Sequence, residues 1–400
     1  MKVILETPAR LEPCQLPHYS ERLADLLSAV TSTATTLGAR LHPQSAASLA
    51  ELVRVMNCYY SNLIEGHDTR PRDIERALVN ELETGSERRS LQLEARAHIQ
   101  VQRAIDERYA RGELEEPARQ SFIRWVHERF YEGAPEELLT IASSRGAFRM
   151  EPGKFRSDAR HDNVVGRHIP PSSAAVPAFM AYFEERFRLQ PLGAATRVAA
   201  IAIAHHRLNY IHPFPDGNGR VSRLVAHAMA LRAGIGSHGL WSISRGLARG
   251  LLDRGEYKRM MDLADSPREG DLDGRGNLSL RALEEYVTWF CEVALDQLQF
   301  MSQLFELDTL GARLERYVTR DLQLPETSAQ IVRALLHRGE IPRGDAALVT
   351  NLPERTARHV LSRLIDSGLV ASTTPKGPVS LRFTTLSAEA LFPRLFPAQA

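Results

Sequence analysis

Cysteine is scarce in this chain of 400 residues: Cys14, Cys58 and Cys291 are the three, and none is in C-x-x-C spacing. That pattern excludes a disulfide framework and a zinc site, and it suits a reducing cytoplasm. Long apolar runs are missing as well. No stretch of about 18 apolar residues occurs, so no membrane-spanning helix and no membrane partner are expected. Met1 to Pro8 has no long apolar segment and soon meets acid and proline, which speaks against a secretory signal. An excess of one charge is also absent. Lys and Arg number 50 and Asp and Glu 49, a formal net charge of +1. No global field therefore draws the chain to nucleic acid or a lipid surface. Hydrophobic residues make up 43% and charged ones 25%, as in a soluble globular protein, and the length suits two or three domains.

What is present concentrates in one stretch, His212-Pro213-Phe214-Pro215-Asp216-Gly217-Asn218-Gly219-Arg220-Val221-Ser222-Arg223. Pro213 and Pro215 cannot sit inside a regular helix and hold the segment extended. Gly217, Asn218 and Gly219 all tolerate left-handed backbone angles. Val221, Leu224, Val225, Ala228 and Leu231 then recur at helical spacing. A glycine-rich loop thus feeds a helix N-terminus, whose free N–H groups and positive dipole end suit an anion. Arg220 and Arg223, three apart, can add charge-assisted bonds to phosphate. Asp216 is acidic in a cationic nest, which makes sense if it holds Mg²⁺ between phosphate oxygens. His212, at the loop entrance, offers a proton acceptor.

This stretch resembles the signature of Fic-domain proteins, H-x-F-x-[DE]-G-N-G-R-x-x-R, with every specified position present. Most members of that family are nucleotidyltransferases that move AMP from ATP to a hydroxyl of a target protein. The resemblance implies His212 as general base, Asp216 as the Mg²⁺ ligand, and Gly217, Asn218 and Gly219 with Arg220 as a phosphate cradle.

Upstream, Pro43-Gln44-Ser45 reads as a helix start. Leu49, Leu52, Val53, Met56, Tyr60 and Leu63 form one apolar stripe ending at Gly66, a common residue just past a helix. Ser61 and Glu65, four apart, share a face. Alone, that pair reads as a solvated polar stripe. Beside the signature, Ser61 to Gly66 resembles the family's inhibitory motif, [ST]-x-x-x-E-[GN]. The resemblance implies that Glu65 reaches Arg223 and blocks the place of the ATP γ-phosphate.

Residues 145–175 break the helical pattern, and extended segments around Asn163, Val164, Val165 and Gly166 suggest a hairpin. The family has a flap here that grips its target by strand addition, and residues 162–166 are its expected place. His205 and His206 lack metal spacing and read as core or positioning residues. Asp253 to Lys258 departs from the N-R-x-x-Y-Y run of many relatives, where only Arg254 and Tyr257 match; Tyr257 is the expected nucleoside contact. Residues 310–325 read as a connection. Beyond Pro325, helices over 328–338 and 353–367 and extended segments near 369–371 and 379–383 resemble a winged helix-turn-helix. From 326 to 400 there are nine Lys/Arg against six Asp/Glu, so DNA binding through Arg355, Arg358 and Arg363 and protein docking are equally open.

The expected architecture is mainly α. It has an N-terminal helical region (1–110) with an inhibitory helix (about 46–66), a Fic-type bundle (111–310) with a small β-hairpin flap, and a winged helix (326–400). The expected activity is Mg²⁺-dependent transfer of AMP from ATP to a Ser, Thr or Tyr hydroxyl of a protein, the chain itself included, restrained by Glu65. AMP removal with Glu65 positioning water, and a nucleotide-responsive DNA-binding regulator, stay as alternatives. A homodimer is compatible with all three.

Overall fold

A computed structural model describes residues 6–143, 146–162 and 164–396. Helices dominate it, as expected, around two central helices that are buried on nearly all sides. These are α8 (Ala194–Ile211) and α9 (Asn218–Arg232). Ala199, Ala200, Ala202 and Ala204 keep α8 slim, so neighbouring helices can approach it closely. Behind the turn that joins the pair, the Asn209 Nδ2 of α8 donates to Ser222 Oγ of α9 at 2.9 Å.

Around this centre pack α1 (Glu21–Ala39), α2 (Pro43–Ile64), α3 (Pro71–Leu78), α4 (Ser86–Ala110), α5 (Gln120–Phe130), α6 (Glu136–Leu139) and α7 (Val176–Arg186). The layer continues with α10 (Ile243–Arg249), α11 (Glu256–Ala264) and α12 (Leu280–Leu304). Pro43 opens α2 at a position whose N–H would have no intrahelical acceptor anyway, and His42 Nδ1 accepts from the Gln44 N–H at 3.2 Å. Most of α2 is buried from Leu49 to Asn62. It therefore runs through the molecule rather than along its surface.

Strand structure is slight. β1 (Thr140–Ile141) and β2 (Phe148–Arg149) form one antiparallel pair, with Thr140 opposite Arg149. The hairpin expected at 162–166 falls one step later. Val165 and His168 exchange both backbone hydrogen bonds, at 3.0 and 2.9 Å, around Gly166-Arg167. Gly166 has φ +62°, and that left-handed residue places the reversal there. Val164 stands exposed beside it, and Asn163 lies outside the described residues.

The connection expected over 310–325 is instead mostly helical. α13 (Leu307–Arg316) continues into π-type turns over Tyr317–Asp321. Glu306 caps it, accepting from the N–H groups of Asp308 and Thr309, and Leu310 and Leu314 are buried. Then follow α14 (Glu326–Arg338), β3 (Glu340–Ile341), α15 (Ala346–Thr350), α16 (Glu354–Asp366), β4 (Val370–Ala371), β5 (Val379–Leu381) and α17 (Thr385–Leu391). The three strands are antiparallel in the order β3-β5-β4. β3 and α17 are additions to what the sequence pattern predicts; a two-residue strand has no periodicity to read.

This C-terminal part is not set apart from the rest. Ser45 Oγ donates to Leu336 O at 3.0 Å, the Thr385 N–H donates to Glu75 Oε1 at 2.8 Å, and Tyr60 Oη donates to Leu395 O at 3.1 Å. A Cβ at Gly339 would collide with His42, so α14 ends directly against the start of α2. One buried apolar cluster runs from Leu11 to Leu395. Removing residues 326–400 should therefore destabilise what remains, with a Tm lower by about 5 °C or more. A calorimetric scan of the shortened chain checks this; an unchanged transition would show that the two parts fold apart.

Candidate active site

The turn between α8 and α9 has to reverse the chain with little water to satisfy its backbone. His212 closes α8 in a left-handed conformation, φ 50° and ψ 60°, its N–H bonded to Leu208 O at 3.0 Å. Such a conformation costs a non-glycine residue roughly 1–2 kcal/mol and persists where neighbours over-determine it. The neighbour here is Arg156, whose side chain is buried. Its Nε donates to His212 O at 2.7 Å, and its Nη2 donates to Pro171 O at 2.9 Å and Ile211 O at 3.2 Å. Nη1 pairs with Asp162 at 2.8 Å, and the Arg156 backbone N–H donates to Pro213 O at 2.8 Å.

Asn218 closes the other half of the turn. Its side-chain amide accepts from the Phe214 N–H at 2.9 Å and donates to Phe214 O at 2.8 Å. The side chain expected among the phosphate contacts is therefore spent on shaping the loop. What remains for an anion is backbone: the N–H groups of Asn218, Gly219 and Arg220 precede the first bond of α9, from Val221 N–H to Gly217 O at 3.0 Å. Gly217 is left-handed at φ +76°, and a Cβ there would lie 2.8 Å from Tyr131 Oη. A Cβ at Gly219 would collide with Glu65 Oε1.

The His212 imidazole sits at the mouth of this turn, half-buried, with no hydrogen-bond partner among the described residues. Burial, and then the charges of Arg156 and His168, lower its pKa to about 4. At neutral pH it is uncharged and able to accept a proton. Asp216, four residues on, accepts from Tyr131 Oη at 3.0 Å through Oδ2. Its backbone carbonyl takes a bond from His127 Nε2 at 3.3 Å, while His127 Nδ1 accepts from the Gly153 N–H at 2.9 Å. His127 also stacks on Phe214 at 3.9 Å. Sequence reasoning missed Tyr131 and His127; their i, i+4 spacing, over the last turn of α5 and the residue that follows it, was the available signal.

Both arginines of the stretch are buried and occupied. Arg220 Nη1 pairs with Glu94 Oε1 at 2.6 Å and its Nη2 lies 3.6 Å from Asp216 Oδ2, while Nε is buried with no partner among the described residues. Burial opposes the Arg220 charge, but Tyr131 and Glu94 outweigh it and hold the guanidinium protonated. Glu94, buried on α4, was also missed. Arg223 Nε donates to Ser61 Oγ at 2.9 Å, and its Nη2 donates to Ser61 O at 3.1 Å and Glu65 Oε1 at 2.6 Å. The structure thus brings Glu65 and Ser61 onto Arg223 across 158 and 162 residues. Burial raises the Glu65 carboxyl, and the Arg223 charge more than reverses this, leaving it below the usual carboxylate range.

Glu65 is held there by its backbone. Gly66 takes φ +88°, its N–H bonds to Leu63 O at 3.1 Å, and the His67 N–H bonds to Asn62 O at 2.9 Å. These bonds make a Schellman ending of α2. Tyr257 does not open onto the turn. It is buried, with its hydroxyl 2.9 Å from His205 Nε2 and its ring stacked on Trp289. The expected nucleoside contact is a core side chain behind Arg223. His205 and His206 are buried, as expected of core residues.

Residues 117–230 match the Fic/DOC family. The chain is 40% identical over 85 residues to a protein adenylyltransferase Fic of Drosophila erecta, a match covering 21% of this chain and 17% of that protein. It thus spans about one sixth of the length of the curated relatives it matches. A Fic family protein of Desulfovibrio desulfuricans superposes with a TM-score of 0.52 at 16% identity, over 92% of this chain and 98% of that one. A Fic domain containing signaling protein of Bacteroides thetaiotaomicron does so with a TM-score of 0.51 at 18% identity, over 69% and 95%. Residues 117–230 thus carry a Fic-type domain, in a chain that shares the fold of these structures.

The buried histidines make stability depend on acid. His98 and His205 are lowered to about 3 and His127 to about 4, in each case mainly by burial. Each is neutral in the folded chain and binds a proton on unfolding below about pH 6.5. Their contribution is whole above that pH and is lost as pH falls, by about 1.4 kcal/mol per pH unit for each group until its folded pKa is reached. Asp106 and Glu94, both lowered against their burial by charged partners, add to the loss below their ordinary range. His67, raised mainly by its bond to Glu94, acts in the opposite direction. Tm should therefore fall steeply from pH 6.5 to 4.5. Thermal melts across that range check it, and a flat profile would contradict it.

Proposed function

We propose that the chain is a protein adenylyltransferase, moving AMP from ATP to a protein hydroxyl, and that Glu65 restrains it. One arrangement carries this reading: an uncharged, unpartnered imidazole at His212 stands in the turn that leads into the N-terminus of a buried helix, with Arg223 tied to Glu65. The relatives named protein adenylyltransferase, at 40% identity over 85 residues, point the same way.

The attacking hydroxyl oxygen forms a bond to the α-phosphorus, and a ring nitrogen of His212 takes its proton. The bond from that phosphorus to the bridging oxygen breaks, and pyrophosphate leaves with the electron pair. The N–H groups at the start of α9 and the free Nε of Arg220 stabilise the charge. Among the described residues no group of three or more His, Cys, Asp or Glu is poised to hold a metal. Mg²⁺ takes one or two protein carboxylates and completes its shell with phosphates and waters. Asp216, half-exposed with only Oδ2 engaged, is the residue that would hold it. Bound there, the ion would neutralise phosphate charge.

Glu65 stands where the outer phosphates would meet Arg223, and its carboxylate repels them. The helices and three strands of residues 326–381 support a winged-helix reading, in which exposed Arg355, Arg358 and Arg363 on α16 meet a partner.

Incubation with α-labelled ATP tests the proposal. Glu65→Gly should raise self-labelling at least tenfold, equivalent to about 1.4 kcal/mol. His212→Ala in that background should abolish labelling and leave nucleotide binding nearly intact. Equal labelling by the parent and Glu65→Gly would remove the restraint and leave the transferase reading standing. Undiminished labelling by His212→Ala would remove His212 from the chemistry. Asp216→Ala should weaken Mg·ATP binding and transfer together, and activity that persists in EDTA would defeat the metal's role.

A further inference from the structure

A cavity of about 490 Å³ lies between the end of α2, α10 and the C-terminal segment. That is within the usual size of small-molecule sites, roughly 300–1,000 Å³. Its lining includes Arg72, Arg245, Arg249, Arg254 and Arg394, against a single acid, Glu389. Tyr60 and Leu63, its α2 lining, lie on a different face of that helix from Ser61 and Glu65, which meet Arg223. The cavity is thus separate from the turn that carries His212.

Three observations mark it as built for an anion. The first is that the side chains of Arg72, Arg249, Arg254 and Arg394 make no ion pair or hydrogen bond among the described residues. Four unpaired guanidinium groups thus line one cavity. The second is Arg245, only 1% exposed, whose Nε finds no partner. Its other nitrogens donate to Gln297 Oε1 and Arg394 O, both at 2.9 Å, and its guanidinium lies 3.7 Å from the centre of the Phe300 ring. A buried guanidinium without a carboxylate is costly unless an anion reaches it. The third is the backbone of Arg394, left-handed at φ +64° where a non-glycine residue is rarely found. That conformation accompanies the bond from Arg245 to its carbonyl and keeps the two residues together.

We propose that this cavity is a second ligand site, taking a small phosphate-bearing anion such as pyrophosphate or a nucleoside monophosphate. Guanidinium groups match phosphate oxygens in pairs. Phe396, partly exposed in the lining, adds aromatic surface beside the arginines, on which a base or sugar can lie. The ligand touches α2, α10 and the C-terminal segment at once, and so fastens together three parts of the chain.

Titration calorimetry on the full chain, with pyrophosphate and AMP as separate probes, tests this. Saturable binding of at least one probe is expected, weakening as salt rises. Arg72→Ala with Arg249→Ala should weaken it at least tenfold. Both side chains are exposed and unpaired, so the fold should be kept; if the double variant melts differently, Arg394→Ala is read in its place. Glu389→Gln should tighten binding, a gain that general destabilisation would not produce. Asp216→Ala, at the catalytic turn, should leave it unchanged. Tighter binding of AMP than of pyrophosphate would assign the aromatic surface to the nucleoside, and the reverse would assign the site to the phosphates alone. Absence of binding by either probe at millimolar concentration would overturn the proposal. So would binding that is lost in Asp216→Ala and untouched in the arginine variants.

Discussion

The structure depends on a chain reversal made inside the protein. Two helices buried on nearly all sides are joined between Ile211 and Asn218, where backbone groups cannot rely on water. Each polar atom then needs a partner supplied by the chain. The Asn218 amide serves Phe214 on both sides, and Arg156 collects the carbonyls of Ile211 and His212. Once those are satisfied, His212 is pinned in its left-handed conformation. Its imidazole is half-buried and makes no bond of its own among the described residues. A proton acceptor is useful when it is fixed and unoccupied, and the turn provides both.

Burial of arginines is the second constraint, and it separates two pairs that look alike. Arg220 with Glu94 and Arg223 with Glu65 are both at 2.6 Å. The Glu94 side chain is only 6% exposed, fixed mid-helix on α4, whereas that of Glu65 is 31% exposed and caps the end of α2. Removing a buried partner leaves an uncompensated charge, so each arginine requires an anion at all times. For Arg220 the protein provides a permanent one. For Arg223 the anion sits at a helix end with access to solvent. The difference between the two pairs lies in where the glutamates sit, not in the N–O distance of either.

Much of this was legible in the sequence. The buried stripe of α2 and its Gly66 ending follow from periodicity and from glycine's backbone freedom. The meeting of Glu65 with Arg223 did not follow from periodicity; it came from two motifs of one family standing in one chain. What stayed hidden was of a different kind. Glu94 lies in an ordinary helical pattern, and only three-dimensional packing reveals that it faces Arg220. Asn218 entered through the signature's phosphate cradle, and the pattern did not show that its side-chain amide is bonded to Phe214, which leaves its backbone N–H for an anion. Tyr257 was matched by position in a run that departs from the family pattern, and its burial against His205 could not be read from that run. α13 was missed because the eye followed Pro325 rather than the spacing of Leu307, Leu310 and Leu314.

The C-terminal segment bears on the site although none of its residues reaches the turn. Glu65 can meet Arg223 only if the end of α2 keeps its place, and that end is fastened from both sides. Inward, Ser61 bonds Arg223; outward, Tyr60 bonds Leu395 O, and Tyr59 packs edge-on against Phe396. Neighbouring residues of one helix turn thus grip the catalytic helix and the C-terminal segment. A shift in that segment of the size of one hydrogen bond would be passed to Glu65 through a rigid helix, because packed interiors transmit displacement rather than absorb it. The pair at the centre is local, but its geometry is set by the whole length of the chain.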